Sequence, residues 1–287
     1  GEPCGLPVLV FLHGGGFHSG AGDADLYGPE YLVAKGIVVV TFNYIINVFG
    51  FLSLNTTAIP GNTGLRDVIT LLRWVQRNVG AFGGDPDNVT LGGHSGGSAA
   101  AHLVSLSDKS KGLIKRIILM SGTGLPSFYT TSPVYAAYVT TLFLRAVGVN
   151  STDPDYIHDQ LLNMSLERIM NANSIVQYDT GSVSFLPVVE SKHPGVTRVL
   201  DSDPITLLEQ GRANYPTLIG TVNAEFDECL KNDPTCGKAS AWPPVHDKLL
   251  TRQAIREPGV YSNVLPTREE QDMMMFHDEL DKIARYV

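Results

Sequence analysis

One stretch of this sequence constrains the fold more than any other. Within residues 88–101, a β-branched and apolar stretch from Val89 to Leu91 leads into Gly93-His94-Ser95-Gly96-Gly97 and then into small residues compatible with a helix. A G-x-S-x-G motif between a strand and a helix is typical of a nucleophile elbow, a sharp turn that holds its serine at a strained backbone angle. Side chains at positions 93 and 97 would collide with the neighbouring strand and helix. The stretch predicts an α/β fold in which Ser95 is the nucleophile of acyl chemistry, and the alternative is a Gly/Ser-rich loop before a helix.

A second motif lies near the start of the chain. Residues 8–12 are uniformly apolar and are followed by His13-Gly14-Gly15-Gly16, as expected of a buried parallel strand that ends in a glycine loop. Such a loop lets bare backbone N–H groups face a developing oxyanion. We expect the N–H groups of Gly15 and Gly16, together with that of Gly96, to form the oxyanion hole. His13 is expected to hold this loop by hydrogen bonds rather than to act as a base.

The rest of the chain alternates strand and helix patterns, as an α/β sheet requires. Strands are predicted near residues 8–12, 37–44, 88–94, 115–121 and 216–222. Helices are predicted over residues 64–79, from Ser95 to about residue 105, and over 133–148 and 153–173. We expect a single domain over residues 1–287, with a helical, cap-like insertion at about 132–175 and an irregular, proline-rich segment at 233–266.

The segment from Phe82 to Gly97 resembles the active-site signature of type-B carboxylesterases, the cholinesterase family. Residues 43–53, 60–67 and 73–76 are similarly family-like, and residues 26–33, 119–124 and 185–191 resemble insect juvenile hormone esterases. The resemblance implies an α/β-hydrolase fold, with a mostly parallel central sheet flanked by helices. It also implies a carboxylic-ester hydrolase that acts on apolar esters through a Ser-Glu-His triad. Juvenile hormone is the first candidate substrate, and a general, odorant or xenobiotic ester is the second.

The sequence departs from that subfamily close to the serine. Juvenile hormone esterases usually carry glutamine before the serine and alanine after it, where this chain has His94 and Gly96. The family's arginine after Asn43-Tyr44 is replaced by Ile45, which is expected to remove a structural ion pair. These departures bear on the hormone substrate and leave the esterase chemistry intact. His94 is expected to line the pocket rather than to act as the base.

The acid of the triad should follow a later parallel strand, because the chain order in this fold is Ser, then Asp or Glu, then His. Residues 215–222 form such a strand pattern and lead into an acidic loop. The family places its glutamate five residues after the glycine that stands here as Gly220, which makes Glu225 the candidate. Asp227 and Glu228 are the competing carboxylates, and a solvated acidic loop is the alternative interpretation.

The histidine of the triad has no clear counterpart in this chain. The family carries it far beyond the acid, in a glycine-flanked His-Glu motif, whereas only His246 and His277 follow Glu225 here. Neither lies in that context, and both are expected to be surface residues. Because the family's catalytic domain is much longer than 287 residues, the chain resembles an internal fragment truncated at both ends. We expect it to be inactive as it stands, and the whole protein to be an active esterase.

Composition limits the partners. A formal net charge of −8 and a pI near 5.4 argue against nucleic acid or an anionic membrane as a partner. No apolar run is long enough to span a bilayer, and no phosphate loop, zinc spacing or other cofactor motif is present, so no cofactor is expected. The expected partner is a small apolar ester.

Cysteines and glycosylation motifs bear on the compartment. Cys229 and Cys236 are expected either to form a small disulfide or to remain unpaired with each other. If they form the disulfide, Cys4 has no partner among the cysteines of this chain. No signal-peptide pattern opens the chain. With the family resemblance, N-glycosylation motifs favour a secreted glycoprotein; they lie at Asn55, Asn88, Asn150 and Asn163.

Overall fold

The computed structural model describes residues 5–126, 129–180 and 184–222. These residues form a parallel sheet in the spatial order β2-β1-β3-β4-β5. Its strands are β1 (Leu6–Leu12), β2 (Val38–Phe42), β3 (Gly84–His94), β4 (Arg116–Met120) and β5 (Thr217–Gly220). Each predicted strand is present, and β3 begins earlier than the sequence indicated.

Helices of very different lengths connect the strands. They are α1 (Ala24–Tyr27), α2 (Glu30–Val33), α3 (Asn47–Phe51), α4 (Thr63–Asn78), α5 (Gly96–Leu106), α6 (Pro133–Ala146), α7 (Pro154–Leu162), α8 (Leu166–Thr180) and α9 (Pro204–Glu209). Single 3-10 turns occur at Val79–Phe82 and Asp108–Ser110. In the ranges that the structure describes, no helix combines the length and the apolar character needed to cross a membrane.

The core lies between the sheet and the helices that pack against it. Every residue of α5 is buried, so this helix lies in the middle of the structure. The predicted apolar face of α4 is confirmed, because Leu65, Val68, Leu72 and Val75 are all buried. In the sheet, Leu12 at the end of β1 is paired with Gly93 near the end of β3. Both motifs that carry the proposed chemistry therefore leave the sheet at the same carboxyl edge.

The predicted helix over residues 153–173 is wrong in one respect, since the structure has two helices there. α7 ends where the Asn163 side-chain amide donates a hydrogen bond to the carbonyl of Asp159 at 2.8 Å. α8 begins after Ser165, whose hydroxyl accepts a hydrogen bond from the backbone N–H of Arg168 at 3.3 Å. These side chains satisfy backbone groups that a continuous helix would have paired internally, so the chain turns between them.

Two segments 126 residues apart in sequence are joined at the start of α4. The side chain of Asn62 donates to the carbonyl of Val188 at 2.7 Å and accepts from its N–H at 2.8 Å. One turn later, the Arg66 guanidinium pairs with the Glu190 carboxylate, whose side chain is 1% exposed. The same carboxylate also accepts from the backbone amides of Val199 and Leu200. These contacts stabilise the start of α4 and the segment around Val188 against each other, and both segments resemble the family in sequence.

Candidate active site

Ser95 lies at the junction of β3 and α5, in the predicted strand–turn–helix context. Its backbone has φ 53° and ψ −122°, a left-handed conformation that is costly for a residue with a Cβ. The conformation is held from both sides, because the Ser95 N–H donates to the carbonyl of Met120 at 2.8 Å and its own carbonyl accepts from Ala99 at 3.0 Å. The side chain is partly exposed at the edge of the sheet.

The flanking glycines are required by close backbone approach, as the sequence predicted. A Cβ on Gly93 would lie 2.4 Å from the carbonyl oxygen of Gly97. A Cβ on Gly97 would lie 2.3 Å from the carbonyl oxygens of both Leu12 and His13. No side chain fits at either position, so β3, α5 and the end of β1 can meet only through glycine.

The glycine loop after β1 lies directly against the turn at Ser95. A Cβ on Gly14 would be 3.3 Å from the Ser95 Cβ. On the other side, a Cβ on Gly96 would lie 2.9 Å from the backbone nitrogen of Gly16 and 3.1 Å from that of Phe17. The structure therefore brings together two motifs, at Gly14 and Ser95, that lie about eighty residues apart in sequence.

The loop presents backbone N–H groups without acceptors. Gly15 and Gly16 have φ 114° and 62°, and a Cβ on Gly15 would lie 2.1 Å from the carbonyl oxygen of Ser19. Among the described residues, none accepts a hydrogen bond from the N–H of Gly15 or Gly16. The N–H of Gly96 is the first of α5, where helix geometry leaves it without an intrahelical partner and the helix dipole favours negative charge. This is a set of donors suited to a developing oxyanion.

His13 is held within the protein. Its ring is 1% exposed and stacks on Tyr44 with a centroid distance of 4.7 Å. The Tyr44 hydroxyl donates to the His13 carbonyl at 3.0 Å, and burial raises the pKa of that phenol, so it keeps its proton. These contacts fit the expected structural role of His13 at the base of the glycine loop.

A tyrosine that no motif pointed to contacts the proposed nucleophile. The Tyr129 hydroxyl lies 3.2 Å from Ser95 Oγ, and the tyrosine side chain is 8% exposed. It belongs to the segment between β4 and α6, 34 residues after the serine. Sequence reasoning missed it because a side-chain contact over that separation imposes no local pattern.

A buried histidine on α5 fixes the same segment. The Nδ1 atom of His102 accepts a hydrogen bond from the Gly124 N–H at 3.1 Å. Burial lowers the pKa of His102 to about 4, so the ring is neutral at pH 7 and can accept. The segment after β4 is thereby tied to the helix that begins at Ser95.

At Ile45, where the family carries an arginine, the structure places the backbone beside the carboxylate of Asp67. The backbone N–H of Ile45 donates to a carboxylate oxygen of Asp67 at 3.0 Å. In the described ranges, no cationic side chain lies within ion-pair distance of Asp67. Burial raises the pKa of Asp67, while the hydrogen bond from Ile45 acts in the opposite direction.

Several predicted residues lie outside the described residues, and their roles stay predictions. These are Glu225, Asp227, Glu228, His246, His277, Cys4, Cys229 and Cys236. The strand that precedes Glu225 is described: β5 lies beside β4, and the Ser121 N–H donates to the carbonyl of Gly220 at 2.8 Å. The described part of the chain contains no cluster of three or more His, Cys, Asp and Glu side chains placed to hold a metal.

The glycosylation motifs fall into two classes. The Asn55 amide exchanges two hydrogen bonds with Ser191, and the side-chain oxygen of Asn88 accepts from the Arg116 guanidinium. Asn150 and Asn163 are exposed, the first in the connection between α6 and α7 and the second at the end of α7. An attached glycan is accommodated more readily at the two exposed sites.

Comparison with known proteins shows which family has a similar sequence and fold. The sequence profile of the Carboxylesterase family matches residues 2–254. Over 222 residues the chain is 56% identical to the juvenile hormone esterase of Heliothis virescens, covering 77% of this chain and 39% of that protein. It is 35% identical to mouse neuroligin-3, covering 76% of this chain and 25% of that protein. The solved structure of juvenile hormone esterase from Manduca sexta, with OTFP covalently attached, matches with a TM-score of 0.77 and 44% identity, over 94% of this chain and 54% of that one.

Proposed function

The chain belongs to the carboxylesterase family, and on that premise we propose that the whole protein hydrolyses carboxylic esters with Ser95 as its nucleophile. The chain spans about half or less of the length of the relatives it matches, so the activity of the whole protein is a proposal. One observation carries it. A serine in a left-handed turn lies against a glycine loop in which the N–H groups of Gly15 and Gly16 have no acceptor among the described residues.

The chemistry follows from that arrangement. Ser95 Oγ attacks the ester carbonyl carbon while a histidine base takes the hydroxyl proton. The N–H groups of Gly15, Gly16 and Gly96 then bind the oxygen that becomes negative, and loss of one such donor typically costs about 3 kcal/mol of transition-state stabilisation. Collapse of the intermediate expels the alcohol, which receives the proton from the base. Water then hydrolyses the acyl-enzyme by the same steps.

Glu225 is our candidate for the acid that orients the base. Support comes from the strand before it, since β5 lies next to β4 and ends at the sheet edge that carries Ser95. Active-site groups of open parallel sheets gather at this carboxyl edge. An acid five positions beyond Gly220 would enter the same region.

For the substrate, we propose an apolar ester, with juvenile hormone first and a general, odorant or xenobiotic ester second. The support is the identity with a protein named juvenile hormone esterase and the structural match to another. His94 and Gly96, which flank the nucleophile, are the positions where a different preference would arise. The exposed motifs at Asn150 and Asn163 support a secreted glycoprotein.

A second candidate is a non-catalytic binding protein of the same family. The similarity to neuroligin-3 favours it, because that relative shares 35% of its residues with this chain over the matched region. Retention of Ser95, its turn and the glycine loop favours the hydrolase. Binding alone does not require a strained serine beside the N–H groups of Gly15 and Gly16, which have no acceptor in the described ranges.

Activity measurements on the whole protein separate the two candidates. We expect turnover of a chromogenic short-chain ester, reduced at least about a thousandfold in Ser95→Ala because the nucleophile is lost. Ser174→Ala, which removes an exposed hydroxyl on α8, is the matched control and should leave turnover unchanged. Unimpaired turnover by Ser95→Ala, or none by the unmodified protein, would contradict the proposal.

A further inference from the structure

The Tyr129 hydroxyl makes a contact with Ser95 Oγ that the chemistry above does not use. The two oxygen atoms are 3.2 Å apart, within hydrogen-bond distance. The tyrosine is nearly buried, so its hydroxyl is not simply a surface group near the site. A polar group at this position affects the reactivity of the serine it contacts.

The tyrosine is held in place by its own segment and by the glycine loop. Its ring packs edge-on against Phe17, the residue after the glycine triplet, with centroids 6.0 Å apart and planes at 87°. Its N–H donates to the carbonyl of Pro126 at 3.0 Å. The hydroxyl of Thr130 donates to the carbonyl of Gly124 at 3.0 Å, and the N–H of that glycine donates to His102 on α5. The segment is thus anchored on the helix that begins at Ser95.

The transfer of the serine proton sets the direction of the hydrogen bond during reaction. A tyrosine hydroxyl can act as donor or acceptor. The serine must direct its own proton to the base before attack. In that arrangement the Tyr129 hydroxyl is the donor and a lone pair of Ser95 Oγ is the acceptor.

We propose that Tyr129 is a positioning residue for Ser95, whose hydrogen bond holds Oγ in the rotamer that faces the oxyanion glycines. This rests on the proposed function, because it assigns a role only if Ser95 is the nucleophile. A serine side chain has three staggered rotamers, and correct orientation of a reacting atom accelerates the chemical step. Once Oγ is acylated it is a weaker acceptor, so the effect falls on the attack by Ser95 and not on substrate binding.

The test is Tyr129→Phe in the whole protein, which removes the hydroxyl and keeps the ring against Phe17. We measure kcat and KM for a chromogenic short-chain ester, and the second-order rate of phosphonylation by a fluorophosphonate, from about pH 6 to 9. Both kcat/KM and the phosphonylation rate should fall about five- to tenfold, the loss expected for one hydrogen bond. The shape of the pH profile should not change. Tyr156→Phe, an exposed tyrosine on α7, is the matched control and should match the unmodified protein.

Other outcomes overturn the proposal. An unchanged phosphonylation rate, an unchanged kcat/KM, or an altered pH profile would each assign Tyr129 a different role. If neither protein is phosphonylated at Ser95, the proposed function fails and this inference fails with it. Should Tyr129→Phe fold poorly, Thr130→Val removes the buried anchor of the segment and should slow phosphonylation about two- to fivefold. No slowing in that variant would count against the proposal.

Discussion

At the scale of single residues, the site depends on positions where the backbone leaves no room for a side chain. Gly97 joins α5 to the end of β1, because its missing Cβ would meet the carbonyl oxygens of Leu12 and His13 at 2.3 Å. Leu12 ends β1, His13 follows it, and both residues are buried, so these carbonyls cannot move without disturbing the sheet. The α5 helix can approach β1 only at this glycine, and that approach places Ser95 beside the glycine loop.

We therefore predict that Gly97→Ala destabilises the protein by at least about 2 kcal/mol, since overpacking a rigid core typically costs that much. Urea denaturation of the whole protein measures this loss. Gly80→Ala is the matched control, because a Cβ there meets nothing within 4 Å. Equal stability of the two variants would show that the elbow tolerates a methyl group.

How far the sequence predicts the site differs from residue to residue. Ser95, Gly93 and Gly97 are predictable because a left-handed turn and close backbone approach restrict the residue types allowed there. Tyr129 is not predictable, since many residues are compatible with its backbone and only the folded chain brings it to the serine. Glu225 rests on its spacing from Gly220 and on the position of the strand before it, and it remains a prediction.

At the scale of secondary-structure elements, α5 and the segment that follows β4 form one unit behind the nucleophile. One link between them is the hydrogen bond from the Gly124 N–H to His102 Nδ1, which requires an unprotonated nitrogen. Burial lowers the pKa of His102 to about 4, against an ordinary value near 6.5. The unfolded chain therefore binds a proton between these pH values that the folded chain does not bind.

This predicts a loss of stability in acid. The contribution of His102 is fully present above about pH 6.5 and is lost as the pH falls toward 4, by up to about 3 kcal/mol. Urea denaturation at pH 7 and pH 4.5 measures it, with His102→Asn as the comparison, because an amide oxygen can accept the same hydrogen bond without titrating. The Asn variant should lose less stability on acidification, and an identical loss in both proteins would rule out His102 as a cause.

Element boundaries show where sequence patterns are weakest. The strands follow from uninterrupted apolar runs, and α4 follows from its 3.6-residue periodicity. The break between α7 and α8 was missed because apolar residues continue across it, while the side chains of Asn163 and Ser165 end one helix and begin the next. Serine three residues before Arg168 is the signal that could have located the break.

At the scale of the whole molecule, long-range pairs hold the family-like segments together. The Arg66–Glu190 ion pair is the clearest case, because its carboxylate side chain is 1% exposed and lies 124 residues from its partner in sequence. A buried carboxylate that also accepts from backbone N–H groups is costly to leave without its cation.

We predict that Arg66→Gln lowers the free energy of unfolding by about 3 kcal/mol, since the buried Glu190 carboxylate is left without its cation. Lys111→Gln breaks an ion pair with Asp108 in which the lysine is 70% exposed, and it should cost less than about 1 kcal/mol. Denaturation curves of the two variants provide the comparison. A loss at Arg66 no larger than at Lys111 would mean that the pair does not stabilise the fold.

The central claim is that Ser95 is the nucleophile of an ester hydrolase, and its most direct test is chemical. The whole protein is treated with a fluorophosphonate, digested, and analysed by mass spectrometry to locate the adduct. We predict one phosphonylated peptide, modified at Ser95 and absent from Ser95→Ala. Absence of any adduct from the folded protein, or an adduct at a different residue with Ser95 unmodified, would contradict the account.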